Sequence, residues 1–269
     1  MLCGITEHIT MISNIMYDYV YTVHDMKSFC KGMRGNSMAQ FNFIELRNVS
    51  KAYGENMRES LAVVNVTACF QCGEFIAIAG KSGSGKSTLL NILSGIDRPT
   101  NGEVLHNETR LGDMSENELA RWRGKNVGIV FQFYQLIPTL TVLENVLLPM
   151  DFCNIIPADR QHEKARSLLE RMGVIQYSDS LPSTISGGEQ QRVAIARSLA
   201  NDPAFIIADE PTGNLDTRNA ESVIGLFREV VSDGKGVIMV THNNEIAAGA
   251  DRVLHISNGE IVSDTRTVG

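Results

Sequence analysis

Residues 80–88 read Gly80, Lys81, Ser82, Gly83, Ser84, Gly85, Lys86, Ser87 and Thr88, a G-x-x-x-x-G-K-S phosphate loop. Its glycines let the backbone turn sharply, so that successive N–H groups point into one concavity. A triphosphate fits that concavity. Lys86 reaches the outer phosphates, and the Ser87 hydroxyl is placed to ligate Mg²⁺. The helix that begins here adds the positive end of its dipole.

Two further runs carry chemistry. Phe205-Ile206-Ile207-Ala208-Asp209-Glu210 is an apolar run of strand length that ends in two acids. At the carboxyl end of a parallel strand such acids face the ligand crevice. Asp209 would hold Mg²⁺, directly or through water, and Glu210 would orient or deprotonate an attacking water. An acidic pair alone often just caps the next helix. A phosphate loop about 120 residues upstream turns the pair into a site. The second run is Ile185-Ser186-Gly187-Gly188-Glu189-Gln190-Gln191-Arg192. A serine and two bare glycines at a helix start form another anion cradle, although an ordinary helix entrance reads the same way. Since one cradle already suffices for one nucleotide, two imply a nucleotide clamped between two copies of the chain.

The elements that must position these groups are legible in part. Phe75–Ala79 is a short apolar strand before the loop, and Leu89, Leu90, Leu93 and Ile96 recur at helical spacing after it. Phe43–Val49 and Val127–Gln132 read as strands. Arg98–Gly102 reads as a turn. Ser115 with Glu118, and Thr141 with Glu144, are capping boxes that open helices. Ala165, Leu168, Leu169 and Met172 line a longer helix that stops at Gly173. Then follow a helix from about Gly188 to Ala200, a strand from Ala204 to Ala208, a helix carrying Val223, Leu226, Phe227 and Val230, and a strand over Val237–Val240. Asn258-Gly259 between two short strand-like runs predicts a closing hairpin. Strands alternating with helices predict an α/β fold with a parallel sheet.

Composition narrows the class. The chain has 269 residues, 43% hydrophobic, with a net charge of −7. That charge speaks against a nucleic-acid surface. No apolar run approaches the ~18 residues needed to cross a bilayer. No charged-then-apolar leader is present, so the expected compartment is the cytosol. Cys69 and Cys72 form a C-x-x-C pair, but no second pair or histidine pair completes a metal site. Two thiols on a strand and its turn is the favoured reading. Residues 1–40 are methionine-rich and aperiodic, and they are expected to form a poorly ordered extension. Translation starting at Met38 is an alternative.

Taken together, these motifs resemble the nucleotide-binding subunit of an ABC transporter, over about residues 43–262. The resemblance implies a P-loop NTPase (RecA-like) parallel sheet core, an antiparallel β subdomain, and an inserted helical subdomain at about residues 133–190. The whole cassette would span residues 41–265. It makes Tyr53 the aromatic that stacks on adenine and Gly80–Ser87 the Walker A loop. Gln132 becomes the Q-loop residue touching Mg²⁺. Ser186, Gly187 and Gly188 become the signature that contacts ATP on the opposite subunit. Asp209 and Glu210 are Walker B, Asp216 belongs to the D-loop, and His242 is the switch histidine near the γ-phosphate. Ile185 stands where leucine is usual, Glu189 where glutamine is commoner, and Asn243 where aspartate is frequent; Lys81 adds charge beside the phosphates. None of these removes a needed group.

The finer resemblance is to the branch serving lipoprotein release, macrolide-type export and cell division. It rests on Phe131 to Pro138, Leu140 to Val146, Ser186 to Arg192 and Gly213 to Asp216. The resemblance implies ATP and Mg²⁺ as cofactors, a second ATP-binding subunit, and a separate integral membrane permease. Nucleic acid is not expected as a partner, and membrane contact would run only through the permease, at the cytoplasmic face. Two rivals stand beside this reading. One is a cell-division-type ATPase that signals through its membrane partner without moving solute. The other is a soluble ABC ATPase acting on DNA or ribosomes. The absence of coiled-coil heptads between the loop and the signature, and the single cassette, count against the latter.

Overall fold

The computed structural model describes residues 42–54 and 60–267. The predicted extension at 1–40 lies outside the described residues, as do Cys3 and Cys30. The chain begins with two long antiparallel strands, β1 (Phe43–Tyr53) and β2 (Ser60–Gln71). β1 runs four residues beyond the predicted strand, which carries Tyr53 to its end. β3 (Phe75–Ala79) is buried at all five positions, as a strand covered on both faces requires. The phosphate loop follows, then α1 (Lys86–Leu93). This helix stops two residues before Gly95, whose φ of 67° lies in the left-handed region that ends helices. A Cβ there would also sit 3.1 Å from side-chain atoms of Leu119 and Trp122. Ile96, expected to continue the helical stripe, is therefore past the end and 45% exposed.

β4 (Asn101–His106) and the short β5 (Thr109–Arg110) complete a first sheet. The predicted turn at Arg98–Gly102 thus gives way to a strand at Asn101. α2 (Glu116–Asn126) opens with the predicted Ser115–Glu118 capping box. β6 (Val127–Val130) ends two residues before Gln132, leaving that residue on a loop. Then come α3 (Val142–Cys153), capped by Thr141 and Glu144, and α4 (Ala158–Arg171). α5 (Gly187–Ser198) leads into β7 (Phe205–Asp209). α6 (Thr217–Ser232), β8 (Gly236–Thr241), α7 (Asn244–Ala248), β9 (Arg252–Ser257) and β10 (Glu260–Arg266) finish the chain. The Asn258-Gly259 hairpin forms between the last two strands, as predicted.

The first sheet is antiparallel, in the order β2-β1-β4-β5. The second runs β10-β9-β3-β8-β7-β6, parallel from β9 to β6 with β10 antiparallel at its edge. Alternate residues of its central strands feed two cores. Phe75, Ala77, Ile206, Ala208, Val237 and Met239 join the helices α3 to α6 on one face. Ile76, Ile78, Phe205, Ile207, Ile238 and Val240 meet α1, α2 and the antiparallel sheet on the other. The carboxyl ends of β3, β7 and β8 thus lie side by side, where a parallel sheet gathers its ligand-binding groups. Arg252 ties the two sheets together. It is 4% exposed, grips Asp264 through two hydrogen bonds of 2.7 and 2.6 Å, and donates to the Cys69 carbonyl at 2.6 Å. The Cys72 thiol donates to the Ala204 carbonyl at 3.3 Å, and burial pushes its pKa up. Cys69 and Cys72 form no disulfide and lie on a strand and its following turn.

One buried group makes stability depend on pH. His106 accepts a hydrogen bond from the Trp122 indole at its Nδ1, 3.1 Å away, and its Nε2 is buried without a partner. Burial lowers its pKa from the ordinary 6.5. The unfolded chain therefore binds a proton in a range where the folded chain does not. The stability is present in full above the unfolded value and is lost as pH falls through the folded one. The unfolding free energy from urea titrations should fall on acidification below about pH 6.5, with a limiting slope of about 1.4 kcal/mol per pH unit for this group. His106→Asn, which keeps an acceptor for Trp122 and cannot titrate, should flatten that acid limb.

Candidate functional site

The phosphate loop is built by what packs around it. Gly85 adopts φ 101° at the start of α1, and a Cβ there would lie 2.1 Å from the Ala62 carbonyl oxygen on β2. Only glycine lets the loop close against that strand. On the other side, the Gly259 N–H donates to the Ser84 carbonyl at 3.0 Å, so the β9–β10 hairpin braces the loop. Lys86 is 6% exposed and donates to the Gly80 and Lys81 carbonyls at 2.9 Å each. Its ammonium is thus folded back over the cradle with a third donor available. The Ser84 hydroxyl is buried in the loop with no hydrogen-bond partner. Ser82, Gly83 and Thr88 lie on the same loop and first helical turn.

The acids arrive from β7. Asp209 ends the strand, and its Oδ1 lies 3.5 Å from the Ser87 hydroxyl. Burial raises its pKa, partly offset by Ser87 and Lys86. A hard cation favours such a pair, because oxygens sharing an octahedral Mg²⁺ sit about 3 Å apart. Glu210 adopts a φ of 43°, unusual for a residue with a side chain. One of its carboxylate oxygens accepts from the Gln132 amide at 3.3 Å. The other lies 3.1 Å from Nδ1 of His242, which follows β8. The structure therefore joins Lys86, Ser87, Asp209, Glu210, Gln132 and His242 at one crevice.

Tyr53 and residues 186–188 have surroundings of their own. The Tyr53 hydroxyl donates to Asp97 at 2.8 Å, and Lys51 lies over its ring at 5.0 Å while pairing with Asp97 at 2.6 Å. Burial and then Asp97 raise the Tyr53 pKa, and Thr88 on the first turn of α1 partly offsets them. Lys51 and Asp97, which fix the ring, escaped sequence reasoning because the partners lie 46 residues apart. Ser186 caps α5, and Gly187 and Gly188 form its first turn. Asp216 caps α6 and holds Asn219, whose side-chain oxygen would be 3.0 Å from a Cβ on Gly188. Asp216 and Gly188 are thus joined through Asn219 within one chain. Among the described residues, no hydrogen bond or ion pair links residues 186–188 to the phosphate loop.

Sequence reasoning also missed how the Gln132 loop is held. Tyr134 and Gln135 both adopt left-handed φ, 59° and 48°. Arg197, on the last turn of α5, donates to their carbonyls at 2.7 and 2.6 Å. Asn214 donates to the Gln132 carbonyl at 3.2 Å from the other side. Nothing in residues 131–138 alone signals an arginine partner some 60 positions on.

A phosphate cradle, an acidic strand end and a polarised glutamate on a parallel sheet define a nucleoside-triphosphate-binding protein of the phosphate-loop class. Residues 63–213 match the ABC transporter family model, and the chain belongs to that family. Its chemistry is the binding and hydrolysis of ATP. The chain is 43% identical over 223 residues to the ABC transporter ATP-binding protein YvrO of Bacillus subtilis, covering 83% of this chain and 97% of that one. It is 45% identical over 229 residues to the pyoverdine export ATP-binding/permease protein PvdT of Pseudomonas fluorescens, covering 85% of this chain. It spans only 35% of that protein's length. Among solved structures it is similar to the ATP-binding cassette MJ0796, determined as a dimer in a post-hydrolysis state bound to ADP and Pi. The TM-score is 0.78 with 38% identity, over 84% of this chain and 99% of that one. No helix among the described residues is long and apolar enough to cross a membrane.

Proposed function

We propose that this chain is the ATP-hydrolysing subunit of an export-type or lipoprotein-release-type ABC complex, working at the cytoplasmic face of the membrane through a separate permease. Two copies meet head to tail and enclose two ATP molecules. In each half, residues 80–88 cradle the phosphates and Tyr53 supports the base. Ser87, Gln132 and Asp209 hold Mg²⁺, which when bound offsets phosphate charge. Glu210 takes the proton of the attacking water, oriented by Gln132 and His242. Ser186, Gly187 and Gly188 of the other copy, with its Asp216 alongside, complete the γ-phosphate's surroundings. The observation behind this reading is the presence of two anion cradles that do not meet within one protomer. The dimeric ADP- and Pi-bound relative supports it, as does a relative that carries ATP-binding and permease functions in one protein.

The helical segment at 133–190 is the part that moves against the core. A cavity of about 300 Å³ opens beside it, lined by Arg123, Phe131, Gln135, Pro149, Arg197 and Asn201. Phe133 and Phe152, on two of the segments that line it, are 71% and 79% exposed. A cytoplasmic helix of the permease docks at these exposed phenylalanines. In a Glu210→Gln background, ATP with Mg²⁺ should convert monomer to dimer in sedimentation velocity. Ser186→Arg should abolish the dimer while ATP binding by the separate protomer persists. A Ser186→Arg protein that still dimerised with ATP would refute the sandwich.

A further inference from the structure

We propose that Glu189 sets how tightly the nucleotide sandwich closes, by holding the Ser186 hydroxyl and by placing a negative charge where the partner's γ-phosphate must arrive. The inference rests on the two-copy reading above and deepens it.

Three contacts define the arrangement. The Ser186 hydroxyl donates to Glu189 Oε2 at 2.7 Å. The same oxygen accepts the Ser186 backbone N–H at 2.7 Å. The Glu189 N–H approaches the hydroxyl oxygen at 3.4 Å. The Tyr177 and Ser186 side chains hold this carboxylate below the ordinary carboxylate range, so it is charged at neutral pH. The proton that a γ-phosphate would draw from Ser186 is therefore already committed to Glu189.

Closure then has two opposing effects at this helix start. The backbone N–H groups of α5 and its dipole attract the phosphate. The carboxylate repels it and gives up one donor when the serine turns. Glutamine would preserve the reach-back bond to the Ser186 N–H, since either residue serves in a capping box. The helix start itself therefore does not require a charge. With one Glu189 in each half, the repulsion acts twice in every closed dimer. Glu189 is a positioning residue that acts through Ser186. It keeps the closed state shallow, so that loss of phosphate reopens it readily.

The test compares Glu210→Gln with Glu210→Gln/Glu189→Gln by sedimentation equilibrium in ATP and Mg²⁺. Glutamine at 189 should lower the dimer dissociation constant by about tenfold at about 0.1 M salt. The gap should close towards about 1 M salt, where the screening length falls from about 10 Å to about 3 Å. A change in helix packing alone would not vary with salt in this way. An equal or weaker dimer for the double variant, or a gap indifferent to salt, would overturn the role of Glu189. Absence of any dimer with either residue at 189 would instead remove the two-copy reading beneath it.

Discussion

Replacing Glu210 with glutamine should stop turnover while leaving ATP bound. The carboxylate sits between the Gln132 amide at 3.3 Å and His242 at 3.1 Å, directly after the strand that carries Asp209. Glutamine matches its shape and retains one acceptor oxygen, but it cannot take a proton from water. A lost general base lowers the rate by about 10²- to 10⁴-fold. The left-handed backbone at Glu210 strengthens the assignment. Such a conformation costs on the order of 1–3 kcal/mol and persists where the surroundings force it, often at functional positions. Phosphate release should fall to near background, while nucleotide affinity from equilibrium binding stays within a few fold. Phosphate release at the unmodified rate would mean that Glu210 is not the base.

Gly85→Ala should be among the most damaging single-methyl changes at the described residues. The new Cβ would lie 2.1 Å from the Ala62 carbonyl oxygen, a backbone atom inside a sheet that has little freedom to retreat. The residue must also hold φ at 101° with a side chain attached. Left-handed strain and the clash together cost about 3 kcal/mol, equivalent to about 6–12 °C in melting temperature for a domain of this size. The loop would open, and ATP affinity should fall by about a hundredfold, since each 1.4 kcal/mol is worth a factor of ten. Gly83→Ala provides the control. Its φ is 77°, but nothing lies within 4 Å of the added carbon. It should cost only the backbone term, about 1 kcal/mol. Equal melting temperatures for the two variants would show that the contact with β2 does not shape the loop.

Much of the candidate crevice was legible because its residues follow one another or end recognisable strands. The glycine spacing at 80–87 gave the loop, and the apolar run before Asp209 gave the strand that delivers the acids. Both capping boxes read from sequence form as expected at Ser115 and Thr141. The antiparallel layer was less visible. β2 alternates imperfectly, with Asn65 at a positive φ of 47° and register shifts against β1, so no clean period of two marks it. β4 starts on Asn-Gly, which reads as a turn until its pairing with β1 is known. The braces were invisible for a different reason. Lys51 with Asp97, Arg197 with Tyr134 and Gln135, and Gly259 with Ser84 each join distant stretches by a few hydrogen bonds. Local sequence carries no trace of such partners.

The Arg197 fork has a mechanical consequence. One planar guanidinium holds two successive peptide carbonyls, so the turn following Gln132 and the end of α5 travel together. At the far end of that helix stands Ser186. A push on the serine end is therefore delivered to the residues beside the exposed Phe133 with no more backlash than a hydrogen bond allows. Lysine, with a single swivelling nitrogen, would leave play in the linkage, and the motion would be lost before it reached Phe133.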